Sequence, residues 1–287
     1  MMTTQKNKII AITGPTATGK TEFAIKLASE LDTEIISADS RLVYKGFDIA
    51  SAKPTIGEMR GIKHHLIDIV EPEVDYSVAN FYDDAKVVID GLLKKGKTPI
   101  VVGGTGLYFR ILLEDFDLPR VKPDFSLRAE LDKKDAKALH DMLMKLDEKS
   151  AQKIHFNNKV KIIRALEVCI KTGKPMSEVA GKKEHEFDVK WIGLNYKDRK
   201  KLYKRIEDRV DEMLEKGLVD ETKGLLKKHG RINNFINTIG YKEMLEYIDG
   251  ITGLDEAVDE LKKNSRRYAK RQISWFKRNQ NIEWIEK

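Results

Sequence analysis

A short apolar strand pattern that leads directly into a phosphate-binding loop constrains the fold of this chain more than any other feature. The apolar run at residues 9–12 has the length of a strand, and the motif G-x-x-x-x-G-K-[ST] follows at residues 14–21. The glycines allow the backbone to curl around an anionic oxygen, and Lys20 adds a positive charge. Residues 22–28 read as a helix whose N-terminus would face the phosphate. The motif predicts a phosphate site but leaves open which phosphate ester is bound.

Strand and helix patterns alternate over the first 119 residues, which predicts a parallel sheet with right-handed crossovers. Further strands are predicted at residues 34–38, 64–69 and 98–102, and a helix is predicted at 78–95 with Gly96 at its end. In such sheets ligands bind at the carboxyl ends of the strands. Gly14, Asp39 and Gly103 each follow a predicted strand. We therefore expect three segments to converge on one site.

The pattern changes at residues 118–123, a stretch that contains two prolines. From residue 124 to about residue 188 strand patterns disappear, and apolar residues recur at helical spacing, as at positions 160, 163, 166 and 170. Residues 190–194 read as a strand that returns to the sheet. The sequence therefore predicts an α/β protein with a P-loop NTPase-like parallel sheet core at residues 1–119 and 189–287. An all-helical subdomain at residues 120–188 is inserted into this core.

Two helices of the last third carry arginines and lysines whose role the pattern leaves open. In the first, an apolar stripe runs from Leu202 to Met213 with Arg209 at its edge. Arg209 is either a snorkelling side chain or a clamp for an anion. The second, predicted at residues 254–278, has many cations and few acids after Glu260. It is either a solvated surface or a face for a phosphate backbone, and the formal net charge of +7 favours a polyanionic partner.

The composition excludes several other classes of protein. The single cysteine, Cys169, permits no disulfide within the chain and is expected to be a buried residue of a reducing compartment. The six histidines show no metal-ligand spacing with cysteine. No signal sequence and no apolar run of bilayer-spanning length is evident, so we expect a cytoplasmic protein without a membrane partner.

Several blocks of the sequence resemble the signatures of the tRNA dimethylallyltransferases, also called tRNA isopentenyltransferases. They occur in the family's order and span nearly the whole chain, at residues 14–21, 39–49, 52–54, 103–108, 239–243 and 267–272. The resemblance, to the bacterial type, implies transfer of a dimethylallyl group from dimethylallyl diphosphate to tRNA. The acceptor would be the exocyclic amine of the adenosine 3′-adjacent to the anticodon. The loop would then hold the isoprenoid diphosphate and not ATP.

The resemblance also implies roles for individual residues. Asp39 matches the general base or amine-binding carboxylate, Thr105 a residue beside the reacting centre, and Arg209 a clamp for the diphosphate. The diphosphate loop would be formed by Gly14, Thr16, Ala17, Thr18, Gly19, Lys20 and Thr21, with Mg²⁺ as cofactor on the Thr21 hydroxyl. Contacts to the tRNA anticodon stem-loop are implied for Asp39, Ser40, Arg41, Leu42, Arg164, Ile239, Gly240, Tyr241, Lys242, Arg266, Arg267, Lys270 and Arg271. Leu42 departs from the Gln that many members carry, and the enzyme is expected to be a monomer.

Two other functions fit parts of the sequence. A small-molecule or nucleotide kinase would use the same phosphate loop and would consume ATP. A basic RNA-binding protein without catalysis would explain the charge, but RNA binding requires none of Lys20, Thr21 and Asp39.

Overall fold

The computed structural model describes residues 7–114, 116, 119–181 and 186–287. Over this part of the chain it forms two compact units. One comprises the chain up to Leu113 together with Glu186–Lys287, and the other comprises Glu114–His185. The inserted subdomain was predicted at residues 120–188. Leu118, in the predicted proline-containing boundary, lies outside the described residues.

A parallel sheet forms the centre of the larger unit. Its strands are β1 (Asn7–Thr13), β2 (Ile35–Ala38), β3 (His64–His65), β4 (Ile100–Gly103), β5 (Phe187–Asn195) and β6 (Glu283–Glu286). Within the described residues the strand order is β3-β2-β4-β1-β5-β6, and every neighbouring pair is parallel. Ile10 of β1 lies opposite Ile100 on one side and Lys190 on the other. The first strand of the chain is therefore central in the sheet.

The helices follow in chain order. They are α1 (Lys20–Glu30), α2 (Val78–Lys94), α3 (Gly106–Leu113), α4 (Phe125–Asp132), α5 (Ala136–Leu146), α6 (Glu148–Lys153), α7 (Lys159–Thr172), α8 (Met176–Val179), α9 (Arg199–Glu215), α10 (Leu218–His229), α11 (Asn233–Ile236), α12 (Tyr241–Ile248) and α13 (Leu254–Phe276). Helices α4 to α8 belong to the smaller unit. Sequence signals explain where helices of both units begin and end. At the start of α2, for example, Ser77 and Asn80 form a reciprocal capping box.

The two faces of the sheet are buried against different helices. On one face, Ile12, Ile35 and Ile100 pack with Ala24 and Ile25 of α1. The opposite face of the sheet packs against α2, α3 and the end of α13, with aromatic side chains such as Phe81, Phe109 and Phe276. A further cluster joins residues 43–47 to helices α9, α10, α11, α12 and α13. Successive residues of a strand point to opposite faces of the sheet. A strand that is buried on both faces therefore needs consecutive apolar residues, and such runs identified these strands in the sequence.

The smaller unit is organised around the buried carboxylate of Glu167 on α7. Glu167 accepts hydrogen bonds from the Asp124 N–H (2.6 Å), from Arg128 Nε (2.9 Å) and Nη2 (2.8 Å), and from Arg164. Burial raises the pKa of this carboxyl, but these hydrogen bonds outweigh that effect and hold it at about 2, against a usual 4.5. Cys169 lies in the core of the same unit, as predicted.

The strands differ from the sequence prediction at both edges of the sheet. The third strand was predicted at residues 64–69 but ends at His65, because Leu66 (φ 63°) and Asp68 (φ 55°) adopt left-handed backbone conformations that a strand excludes. Strand β6 was not predicted. Its sequence, Glu283–Glu286, has mixed polarity, and its burial is correspondingly low because it is an edge strand.

Candidate active site

The carboxyl ends of β1, β2 and β4 surround a cavity of about 410 Å³ in the larger unit. Thr16, Lys20 and Thr21 line it from the phosphate loop, Asp39 from the end of β2 and Gly103 from the end of β4. Helices α9 and α13 complete the wall through residues such as Arg209 and Gln272. The three segments that were expected to converge therefore lie around one cavity.

The phosphate loop is shaped by a close approach between two backbone segments. Gly14 has a φ of 140°, and a Cβ added there would lie 2.2 Å from the carbonyl oxygen of Leu194 in β5. Inside the loop, Thr18 Oγ1 donates to the Pro15 carbonyl at 2.9 Å, and Lys20 Nζ donates to the same oxygen at 2.7 Å. Only glycine fits at position 14, and the neighbouring strand thus fixes where the loop begins.

Helix α1 presents its N-terminus to the cavity. Gly19, with a φ of 76°, precedes the first turn, and no side chain among the described residues caps this turn. The first N–H groups of a helix have no intrahelical acceptor, and together with the helix dipole they bind anions. Thr21, in the same turn, lines the cavity and is exposed. The loop and helix end therefore form an anion-binding site.

The charges around this site act on one another. Burial, together with the nearby Arg209 guanidinium, lowers the pKa of Lys20 from its usual 10.5 to about 7, although Asp39 acts in the opposite direction. Arg209 Nη1 donates to Thr16 Oγ1 at 3.0 Å, which fixes the guanidinium beside the loop. Arg209 therefore lies at the cavity next to the phosphate loop, and its predicted role as a clamp for an anion stays a prediction.

Asp39 is held in place by the backbone on the other side of the cavity. Its Oδ1 accepts the Arg41 N–H at 2.8 Å, which orients the carboxylate. The Thr105 hydroxyl accepts the Ser40 N–H at 3.1 Å and also interacts with the Tyr268 hydroxyl. Burial, and then the negative charge of Asp39, raise the pKa of Tyr268, so its phenol stays protonated beside the carboxylate. A carboxylate, two hydroxyl groups and an anion site therefore share one cavity.

Several residues predicted to contact tRNA lie at this cavity or on exposed surface. Ser40, Arg41, Leu42, Ile239 and Arg271 line the cavity. Lys242, Arg267 and Lys270 are exposed. The Arg271 guanidinium lies 5.7 Å from the centre of the Tyr268 ring. The predicted contacts of these residues with RNA remain predictions.

The side chain of Tyr241, a residue predicted to contact tRNA, lies in the protein interior. It is fully buried, with its ring 4.9 Å from that of Phe47 and its hydroxyl donating to Glu221 at 2.7 Å. Gly240 is also buried, and a Cβ there would lie 2.9 Å from Ala50 Cβ. The Tyr241 side chain therefore belongs to an apolar cluster, and the predicted tRNA contact of this residue stays a prediction.

The basic face of α13 is partly neutralised by acids of α9, which the sequence of α13 alone could not reveal. Lys262 pairs with Asp211 at 2.6 Å, and Arg266 pairs with Glu207 at 2.6 Å. Lys263 pairs with Glu260 of its own helix at 2.7 Å. The predicted RNA contact of Arg266 would have to compete with this ion pair.

Arg164, the tRNA contact predicted in the insert, is engaged within the smaller unit. Its guanidinium contacts Glu167 and donates to the carbonyl oxygens of Val121 (3.0 Å) and Pro119 (3.5 Å). Arg164 therefore ties residues 119–121 to α7.

Gln272 at the cavity, and Glu221 behind the segment at residues 49–50, were not identified from the sequence. Gln272 is buried at the cavity and contacts two loops, and Glu221 accepts the N–H groups of Ile49 (2.8 Å) and Ala50 (3.2 Å). Gln272 is the last residue of the sequence block at 267–272, and its position in that block could have identified it as a residue of the site. No such signal identifies Glu221 in the sequence, because Glu221 lies on a helix among other charged residues.

The fold and the site together define a phosphate-loop enzyme of the α/β class, and comparison with known proteins narrows the class. A sequence model of the family described as IPP transferase matches residues 42–279. The tRNA dimethylallyltransferase of Pelotomaculum thermopropionicum is 45% identical over 289 residues, which cover 98% of this chain and 91% of that protein.

Solved structures agree with these sequence matches. The full-length tRNA isopentenylpyrophosphate transferase from Bacillus halodurans is 45% identical with a TM-score of 0.74, and the alignment covers 98% of this chain and 90% of that one. A eukaryotic dimethylallyltransferase acting on tRNA is 30% identical with a TM-score of 0.85, covering 98% of this chain and 74% of that one. This chain belongs to the tRNA dimethylallyltransferase (IPP transferase) family. The alternative of a phosphate-loop kinase is not favoured.

Proposed function

We propose that this protein transfers a dimethylallyl group from dimethylallyl diphosphate to the exocyclic amine of the adenosine 3′-adjacent to the anticodon in tRNA. The observation that carries the proposal is the position of Asp39, a carboxylate, in the same cavity as the phosphate loop and the Arg209 guanidinium. The amine nitrogen forms a bond to the allylic carbon, and the bond from that carbon to the diphosphate oxygen breaks. The diphosphate leaves with the electron pair, and the amine loses a proton.

The phosphate loop and its cations act on the leaving group. Negative charge grows on the diphosphate as the carbon–oxygen bond breaks, and preorganised donors aimed at that charge lower the barrier. The N–H groups at the start of α1 supply such donors, and Arg209 adds a fixed charge beside Thr16. Lys20 supplies a further positive charge, because the negative charges of a bound diphosphate favour the protonated form of its amine.

Asp39 acts on the nucleophile. An exocyclic amine on an aromatic base is a weak nucleophile, so its proton must be accepted as the new bond forms. Asp39 is oriented by the Arg41 N–H and lies near the hydroxyl groups of Thr105 and Tyr268. The carboxylate therefore accepts the hydrogen bond of the amine and takes its proton.

The residues present fit a magnesium ion that is bound mainly through the substrate. Among the described residues no group of three or more His, Cys, Asp or Glu side chains is arranged to hold a metal. Mg²⁺ in proteins is commonly held by one or two protein oxygens together with substrate phosphates and waters. The exposed Thr21 hydroxyl at the phosphate loop is such an oxygen. A bound Mg²⁺ would offset charge on the leaving diphosphate.

The proposed partner is the anticodon stem-loop of tRNA, bound by a monomer in the cytoplasm. The exposed Lys242, Arg267 and Lys270 provide charge for its phosphates, and cavity-lining Ser40, Arg41 and Leu42 provide contacts to the flipped base. No helix of the described residues has both the length and the apolar character that crossing a membrane requires.

The test is incubation of the protein with radiolabelled dimethylallyl diphosphate, Mg²⁺ and unmodified tRNA. We expect label to appear in tRNA at the adenosine next to the anticodon, without ATP, and to decline when Mg²⁺ is chelated. A tRNA with that adenosine replaced by guanosine is the matched control and should stay unlabelled. Absence of label in tRNA, together with formation of ADP in a parallel reaction that contains ATP, would contradict the proposal and favour a kinase.

A further inference from the structure

Gln272 of α13 is a buried amide that joins two loops of the active site. Its Oε1 accepts the Thr16 N–H at 2.9 Å, and its Nε2 donates to the Gly104 carbonyl at 3.0 Å. The residue is 5% exposed. Gly104 has no room for a side chain, because an added Cβ would lie 2.1 Å from Gln272 Nε2. Both ends of the amide are therefore matched to backbone groups that come from distant parts of the sequence.

On the phosphate side, Gln272 fixes the residue that positions Arg209. The Thr16 N–H points to Gln272, while the Thr16 hydroxyl accepts from Arg209 Nη1 at 3.0 Å. A shift of Thr16 would move the hydroxyl and with it the guanidinium. The Thr16 N–H is occupied by Gln272, so the anion is left to the N–H groups nearer α1. Gln272 is thus bound to the same residue that accepts the hydrogen bond of Arg209.

On the amine side, Gln272 fixes the loop that supports Asp39. Gly104 immediately precedes Thr105, whose hydroxyl accepts the Ser40 N–H at 3.1 Å. The Thr105 N–H donates to the Ala38 carbonyl at 3.2 Å, so this loop is also bound to the end of β2. The two halves of the cavity, one for the leaving group and one for the nucleophile, therefore meet at a single side chain.

We propose that Gln272 is a positioning residue that sets the distance between the diphosphate site and the Asp39 carboxylate. The inference rests on the proposed function, since it assigns the two halves of the cavity to the two substrates. In-line displacement requires the nucleophile, the allylic carbon and the leaving oxygen to be aligned. A misplacement of about 1 Å in such an arrangement lowers a rate by about 10²-fold.

The first test replaces Gln272 by Met, which keeps a similar volume but removes both hydrogen bonds. We expect Gln272→Met to lower kcat at saturating concentrations of both substrates by about 10- to 10²-fold. We also expect a weaker affinity for inorganic pyrophosphate, measured by calorimetry without tRNA. Gln280→Met, the same change at an exposed position just beyond α13, is the matched control and should match wild type in both measurements.

Two further variants distinguish positioning from a general loss of stability. Gln272→Glu keeps an acceptor for the Thr16 N–H, loses the donor to Gly104 and adds a negative charge beside the anion site, so we expect both a weaker affinity for pyrophosphate and a reduced kcat. Thr16→Val removes the hydroxyl that holds Arg209 and keeps the Thr16 N–H. Gln272 and Arg209 act on the same residue, so the effects of Gln272→Met and Thr16→Val on pyrophosphate affinity should be less than additive.

The outcomes separate this inference from the proposed function. Folding is checked by circular dichroism at the assay temperature, and Gln272→Glu replaces Gln272→Met if the latter does not fold. A kcat within twofold of wild type in the folded variant would overturn the inference, as would an equal loss in Gln280→Met. If wild type transfers no dimethylallyl group, the proposed function fails. The pyrophosphate measurements would still decide whether Gln272 positions the loop.

Discussion

The low pKa of Lys20 leads to a specific prediction about binding of the diphosphate substrate. Burial and the charge of Arg209 lower this pKa to about 7 in the free protein, against a usual 10.5. A bound diphosphate places several negative charges beside the amine and favours its protonated form. Binding above neutral pH must therefore be accompanied by proton uptake.

The expected stoichiometry follows from the titration of a single group. With a pKa of about 7, roughly 0.1 of Lys20 is protonated in the free protein at pH 8, and nearly all of it is protonated in the complex. Binding then takes up about 0.9 proton at pH 8. The same linkage lowers the observed affinity by almost tenfold between pH 8 and pH 9. Phosphate esters titrate near pH 6, so the ligand contributes little at pH 8.

Isothermal titration calorimetry with dimethylallyl diphosphate, without tRNA, measures this uptake. The binding enthalpy is recorded at pH 8 in buffers of different ionisation enthalpy, and the slope gives the number of protons. Lys20→Arg is the matched variant, since it keeps a positive charge that does not titrate in this range. We expect a slope near zero for Lys20→Arg.

Two results would refute the reasoning. A slope near zero for wild type at pH 8 would mean that Lys20 is already protonated in the free protein. A slope for Lys20→Arg equal to that of wild type would mean that another group takes up the proton.

Three further predictions concern other parts of the molecule. Asp39→Asn should lower the single-turnover rate by about 10²–10⁴ with tRNA affinity within a few-fold of wild type, and an unchanged rate would exclude it as the base. Replacing Arg267 and Lys270 by Ala should reduce the slope of log tRNA affinity against log salt by about one unit per lost phosphate contact, whereas Lys94→Ala should not. Glu167 has a folded-state pKa of about 2 against a usual 4.5, so its contribution to stability is complete above pH 4.5 and is lost as the pH falls to 2. Glu167→Gln should therefore flatten acid unfolding in that window, and identical acid unfolding of both proteins would contradict this.

The sequence predicted those features that depend on local pattern. The strand before the phosphate loop, the buried stripe from Leu202 to Met213 and the end of α2 just before Gly96 follow from apolar spacing and glycine placement, and the structure has all of them. The convergence of Gly14, Asp39 and Gly103 followed from a general rule for parallel sheets. These features required no knowledge of tertiary contacts.

Features set by partners from distant segments could not be predicted in the same way. The sequence of α13 alone shows no acids that pair with Lys262 and Arg266, because those acids, Asp211 and Glu207, lie on α9. A tyrosine is compatible with a surface position as well as with the core. The contacts of the Tyr241 ring with Phe47 and Phe235 show that this tyrosine is a core residue. Whether a side chain pairs, packs or remains free depends on which elements meet, and periodicity within one helix does not contain that information.

The central place of β1 in the sheet has a consequence for synthesis of the chain. Its neighbours are β4 and β5, and Gly14 at the start of the phosphate loop rests against Leu194 of β5. A ribosome delivers the N-terminus first, at about 5–20 residues per second. The first strand therefore emerges from the ribosome well before β4 and β5. The phosphate loop can pack against Leu194 only after β5, which follows the insert in the chain, has been synthesised. Because helices α4 to α8 form by local contacts, early folding of the insert would shorten the span that must close and lower its entropic penalty.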